Sequence, residues 1–356
     1  MEKGLIAYFV YNLNKYSGAS QQALALAKSM KMPIAILNHE RGIGFSKKKI
    51  NEHVEQVNLP SNRVLALFYL IFFLLINNVK VIHLHGFFKH GIVLGRFLGK
   101  KVILKTTLMG SDDFESLHVK ARYKFFFRFL IGCIDINVCL TRQLYNQNRN
   151  FIDESKIRII PNGVELPANV LTHKENIFCF VGLICERKGA FESIEYYLKN
   201  YLDLPASKMY VVGPIEGLNE SDSAYVNKCY TLVSQYKATN KVIFTGNITK
   251  QDVQEIFRIS KALIFFSKNE GMPNVVLEAM SHNCLPITLG LDGVVIEILG
   301  GNVDAQLTLT DPRHVIDVNV MNKFIKNSDL SRIAREKFSM DSISFKYQGL
   351  YEVLSL

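Results

Sequence analysis

Glu270 and Glu278 stand eight residues apart in the run EGMPNVVLE. A carboxylate accepts hydrogen bonds at both oxygens and so suits a ligand rich in hydroxyls. Proline is tolerated in the first turn of a helix, where its missing N–H would have had no partner, so a helix starts near Pro273. The N–H groups of Gly271, Met272 and Asn274 then point above the preceding strand, at a place the helix dipole makes attractive to anions. Glu270 at that place would repel a bare phosphate. It fits a ligand in which phosphate is joined to hydroxyl groups, as in a nucleotide sugar. Taken alone, two glutamates at this spacing read as an ordinary helix-start acid and a solvated face.

The elements that must position these residues are legible around them. Residues 262–267 (ALIFFS) are short, apolar and aromatic, as a strand buried on both faces would be. Strand, turn and helix in that order make half of a βαβ unit. Further strands at 177–183, 209–212, 242–245 and 285–288 alternate with helical stretches, the pattern of a doubly wound parallel sheet. Between the first of them and its helix lies GLICERKG, with the cations Arg187 and Lys188 before Gly189; Gly246 ends another.

The first half repeats the alternation, with strands at 4–11, 33–37, 79–85, 101–107, 134–140 and 157–160. The loop 12–20 contains Asn14, Ser17, Gly18 and Ser20 and leads to a helix over 21–30; it suits a phosphate cradle or an ordinary turn. His83 and His85, two apart on a strand, face the same side, an arrangement that metal sites also use. In TLMGSDD, Asp112 and Asp113 read as turn and helix-start residues. Residues 41–51, with Arg41 and Lys47 to Lys49, read as a solvated loop or helix start. Pro161, Asn162 and Gly163 are consecutive turn formers ahead of a linker at 167–173. Two helical stretches, 327–340 and 342–354, end the chain and suit a return over the first half.

With 356 residues the chain has room for two domains, each with its own core. Hydrophobic residues make up 48% and charged residues 21%, a globular balance. The longest apolar run, residues 64–76, is too short to span a bilayer, and residues 5–10 are too short for a secretory signal, so the expected location is cytoplasmic. The six cysteines form no C-x-x-C pair, and buried free thiols are expected, with no disulfide framework and no zinc site. Residues 1–170 hold 23 Lys+Arg against 11 Asp+Glu, and the remainder 19 against 21, so all excess positive charge is in the first half. That implies an anionic partner. Residues 120–130 (KARYKFFFRFL) suit either an amphipathic helix with its aromatic side in the core or a patch meeting anionic lipid. No stacking platform or groove-reading helix for nucleic acid is evident.

The run EGMPNVVLEAM resembles the donor-binding signature of retaining glycosyltransferases of family 4, which have the GT-B fold: two Rossmann-like doubly wound α/β domains facing a central cleft. IPNGVE at 160–165 and HLHG at 83–86 are similar to other family segments. The resemblance implies an N-terminal acceptor-binding domain (1–168), a C-terminal nucleotide-sugar domain (169–335) and a last helix (336–356) returning to the first. It implies that Glu270 is the catalytic carboxylate orienting the donor sugar and that Glu278 holds the ribose. Gly18, Lys188, Gly271, Met272, Pro273 and Asn274 would complete the donor site. Ser17, His85, Met109, Arg187 and Gly246 are further cleft candidates. No metal and no cofactor beyond the co-substrate is implied. The expected reaction moves a sugar, hexosyl or N-acetylhexosaminyl, with retention, from a nucleoside diphosphate to a lipid-linked oligosaccharide acceptor at the inner face of the plasma membrane, in polysaccharide, O-antigen or capsule assembly. Met109 stands where relatives have a histidine and Leu183 where they have an arginine. Those two departures leave open a non-catalytic GT-B subunit that binds a partner glycosyltransferase.

Overall fold

The computed structural model describes residues 4–13, 18–40, 42–216, 219–289, 291, 294–300, 308–309 and 311–355. The chain forms two compact units, Met1–Gly163 with Met340–Leu356, and Val164–Ser339. The expected boundaries after 168 and 335 thus move to the turn formers at Gly163 and to the start of the last helix.

In the first unit, β1 (Leu5–Tyr11), α1 (Gly18–Ser29), β2 (Ile34–His39), β3 (Ser46–Lys49), β4 (Val54–Asn58), α2 (Arg63–Ile76) and β5 (Val79–His85) follow in order. Then come α3 (Lys89–Phe97), β6 (Lys101–Thr106), α4 (Phe114–Lys120), α5 (Lys124–Gly132), β7 (Ile136–Cys139), α6 (Arg142–Asn148) and β8 (Ile157–Ile159). The sheet runs β3-β4-β2-β1-β5-β6-β7-β8 and is parallel except for β3. Alternation along β1 divides its side chains between two layers. Ile6, Tyr8 and Val10 join the core formed with α1 and the C-terminal helix. Phe9 packs on the other side, against Phe88 and Gly91 ahead of and within α3.

Two local expectations change. The lysine run is neither loop nor helix start but an edge strand, β3, pairing antiparallel with β4 with all its side chains exposed. A charged edge discourages further strand pairing. Residues 120–130 do not make one helix: the chain leaves α4 at Ala121 in an extended conformation and restarts at Lys124, whose ammonium group donates to the carbonyls of His118 and Val119 at the end of α4. Ahead of α4, Asp112 closes the turn that follows β6 by accepting from the amides of Thr107 and Leu108, and Asp113 caps α4 through the Ser116 amide at 2.8 Å.

The second unit holds β9 (Ile177–Val181), α7 (Ala190–Asn200), β10 (Lys208–Val212), α8 (Glu220–Gln235), β11 (Val242–Gly246), α9 (Lys250–Ile259), β12 (Ala262–Phe265), α10 (Asn274–Ser281), β13 (Leu285–Leu289), α11 (Val294–Leu299), β14 (Thr308–Leu309), α12 (Val318–Asn327) and α13 (Asp329–Phe338). Its sheet, β11-β10-β9-β12-β13-β14, is wholly parallel. The chain then returns to the first unit as α14 (Met340–Ser355).

Candidate active site

The strand order of the second unit reverses between β9 and β12, and ligands of open α/β sheets bind beyond the carboxyl ends of strands at such a point. The loops leaving these strands carry Lys188 and Glu270. Gly189 lets them approach: its φ is +65°, and a Cβ there would lie 2.0 Å from the carbonyl oxygen of Phe266. The Lys268 amide donates to the Arg187 carbonyl at 2.9 Å and holds the loops in register.

Between the loops, Lys188 Nζ lies 2.5 Å from Glu270 Oε1, and Ser267 Oγ donates to the same oxygen at 2.7 Å. Arg187 Nη1 stands 3.7 Å from it. The two neighbouring cations therefore serve one carboxylate, although Arg187 remains largely exposed. Lys188 also lies over the Phe265 ring, 5.5 Å from its centroid. Gly271, Met272 and Pro273 are buried, and Asn274, half-buried, opens α10 with Pro273 extended before it, so the helix begins one residue after the proline.

Glu278 lies one turn further along α10, facing another group. The nearby charges are Lys250 and Glu165, themselves paired at 2.7 Å. Burial pushes the Glu278 carboxyl up to about 7, with Glu165 adding to the rise and Lys250 opposing it. Gly246 ends β11 at φ +67° and accepts from the Gly213 amide at 3.2 Å, two strands from β9. It shares the end of the sheet with Lys188 and Glu270 without touching them. Ser267 and Gly213 were not singled out from sequence. Gly213 has room for no Cβ, since one would fall 2.0 Å from the carbonyl oxygen of Gly182; its position after the apolar run 209–212 was the available signal.

In the first unit Gly18 opens α1 and is exposed, while Ser17 lies outside the described residues. Met109 is half-buried in the turn closed by Asp112. His85 departs most from expectation. It is buried, its ring 4.2 Å from His83 and 4.8 Å from Tyr8, because α14 covers that end of the sheet. The two histidines do face the same way, and burial holds both imidazoles well below their ordinary pKa. The same pocket of polar groups contains residues that sequence reasoning missed. Lys105 Nζ donates to Asn162 Oδ1 at 2.9 Å, and desolvation pulls its ammonium down to about 7. Tyr351 joins Tyr8 at 2.6 Å and His83 Nδ1 at 2.7 Å. No cluster of three His, Cys, Asp or Glu able to hold a metal ion occurs among the described residues.

Two Rossmann-like units of this kind make up the GT-B fold. Likeness to solved structures agrees on the fold. Sucrose-phosphate synthase from Thermosynechococcus elongatus superposes with a TM-score of 0.76 over 99% of both chains at 13% identity. HepE from Anabaena, solved with UDP and glucose, gives 0.71 over 98% of this chain and all of that one, also at 13% identity. Residues 165–338 match the family model of glycosyl transferases group 1. Among characterised relatives, the Escherichia coli UDP-Gal:alpha-D-GlcNAc-diphosphoundecaprenol alpha-1,3-galactosyltransferase is 26% identical, covering 70% of this chain and 72% of that one.

Proposed function

We propose that the protein transfers a hexosyl or N-acetylhexosaminyl group, with retention and without a metal, from a nucleoside diphosphate sugar to a lipid-linked saccharide in cell-surface polysaccharide assembly. The observation carrying this reading is the Lys188–Glu270 pair between the loops of β9 and β12. A departing diphosphate gains negative charge, which needs a fixed cation and aligned N–H groups. Lys188 and the start of α10 supply them. Glu270, released from Lys188 as the diphosphate takes the cation, orients the hydroxyls of the donor sugar. Glu278 accepts from the ribose hydroxyls. The leaving phosphate takes the acceptor proton on the face it departs from, which accounts for retention without a protein nucleophile. Arg187, beside the same carboxylate, supplies the second cation that Leu183 does not. The lipid-linked acceptor follows from the relative's acceptor class and from the basic first half.

Saturation-transfer NMR against UDP-, GDP- and dTDP-sugars tests the donor site. One nucleotide sugar should bind and lose its signal in Glu278→Ala. Absence of binding by every member of the panel would refute the reading.

A further inference from the structure

Helix α2 is apolar on every side. From Val64 to Ile76 it carries no charge, yet only Ala66, Leu70, Phe73 and Leu74 are buried. Leu65, Phe68, Phe72 and Leu75 form an exposed stripe, with Phe68 66% and Leu75 63% accessible. Burying side chains of this kind is worth about 1.5–3 kcal/mol each. Contiguous exposed patches of them mark binding surfaces. At fourteen residues α2 does not cross a bilayer, and no described helix is long and apolar enough to do so.

Two further observations bear on what meets the stripe. Phe45 rests 5.0 Å from the Tyr69 ring of α2 and is followed by β3, with Lys47, Lys48 and Lys49 exposed. A second copy on the stripe would bring two lysine-rich edges together, whereas an anionic bilayer meets them with opposite charge. Beneath α2 lies a cavity of about 510 Å³, the size of a small-molecule site. Its walls include Phe9, Leu37, Leu70 and Phe88, and it opens beside Arg63 and His90, both exposed. The Arg63 cation acts on Tyr11, which stacks on Phe88 at 4.1 Å.

We propose that α2 lies in the surface of an anionic bilayer and that the cavity beneath it takes the apolar chain of a phosphate-bearing lipid, with the phosphate at Arg63. Arg63 opens α2, so a phosphate there would sit where a helix lying in the membrane surface meets the head groups. The inference rests on the lipid-linked acceptor proposed above and assigns its site to residues outside the donor loops.

Calorimetry of the full chain with farnesyl phosphate, farnesol and inorganic phosphate tests the cavity. Farnesyl phosphate should bind, farnesol roughly tenfold more weakly, and inorganic phosphate not measurably. Arg63→Ala should bring farnesyl phosphate to the farnesol level, and Leu67→Trp, which fills the cavity, should abolish binding of both. Phe68→Ser/Phe72→Ser changes only the exposed stripe. It should remove co-sedimentation with phosphatidylglycerol-containing vesicles and leave nucleotide-sugar binding intact. Equal binding of farnesyl phosphate and inorganic phosphate, or unchanged vesicle binding by the double variant, would overturn the proposal. So would a dimer that the double variant dissolves without any vesicle binding, which would assign the stripe to a second copy. Donor binding without farnesyl phosphate binding would sink the lipid site and spare the transferase reading. Loss of both would sink both.

Discussion

Glu278 keeps its proton to about pH 7 because the protein around it replaces water poorly. Its folded-state pKa exceeds its unfolded one, so its contribution to stability is complete below the unfolded value and is lost as pH rises through 7. Glu278→Gln should therefore gain melting temperature over wild type between pH 5 and pH 8, in thermal unfolding scans without ligand. The carboxylate form is the one that accepts from two hydroxyls, so donor affinity should tighten as pH rises through 7, and the glutamine variant should lack that dependence. Glu270 is set differently. Its side chain is 13% exposed and paired with Lys188. Lys188→Ala leaves a carboxylate with Ser267 and a more distant Arg187, and should cost about 1–3 kcal/mol in denaturant titrations besides weakening donor binding. These residues were legible because each lies in one contiguous stretch that carries its own turn and helix start. Lys105, Asn162 and Tyr351 were not, since three distant segments must fold before they become neighbours.

Among the elements, the loops after β9 and β12 depend on Gly189. Alanine there meets both a left-handed φ and the Phe266 carbonyl, so Gly189→Ala should destabilise the second unit by about 2 kcal/mol or more and abolish donor binding. Gly110, at φ +74° with open space around it, is the control: Gly110→Ala carries the backbone strain alone, about 1–2 kcal/mol. Chemical denaturation followed by circular dichroism separates the two. Strand and helix periodicity revealed the parallel sheets because their buried strands are apolar throughout. It did not reveal β3, a run of lysines with no apolar alternation that is a strand only through its pairing with β4. The break between α4 and α5 was hidden for a similar reason, because a lysine side chain bonding to carbonyls leaves no mark on hydrophobic periodicity.

In the molecule as a whole, α14 completes the first unit from the far end of the sequence. Tyr347 and Tyr351 are fully buried there against the core of β1 and β5. A chain ending at Ser339 should lose the protection of β1 and β5 amides in hydrogen exchange, while β9 and β12 keep theirs. The burial of His85 could not be read locally, because its cover lies more than two hundred residues later.

The second unit begins and ends at one place: Val164 and Ser339 form a parallel bridge, and the Val164 amide donates to the Phe338 carbonyl at 2.8 Å. On the other side of the crossing, Gly163 touches Met340 so closely that a Cβ would fall 2.8 Å from its sulfur. The second unit is thus a cassette inserted into its host through adjoining ends, the arrangement that tolerates exchange. Exchange at this double seam would replace the second unit whole and leave the first, last helix included, uncut.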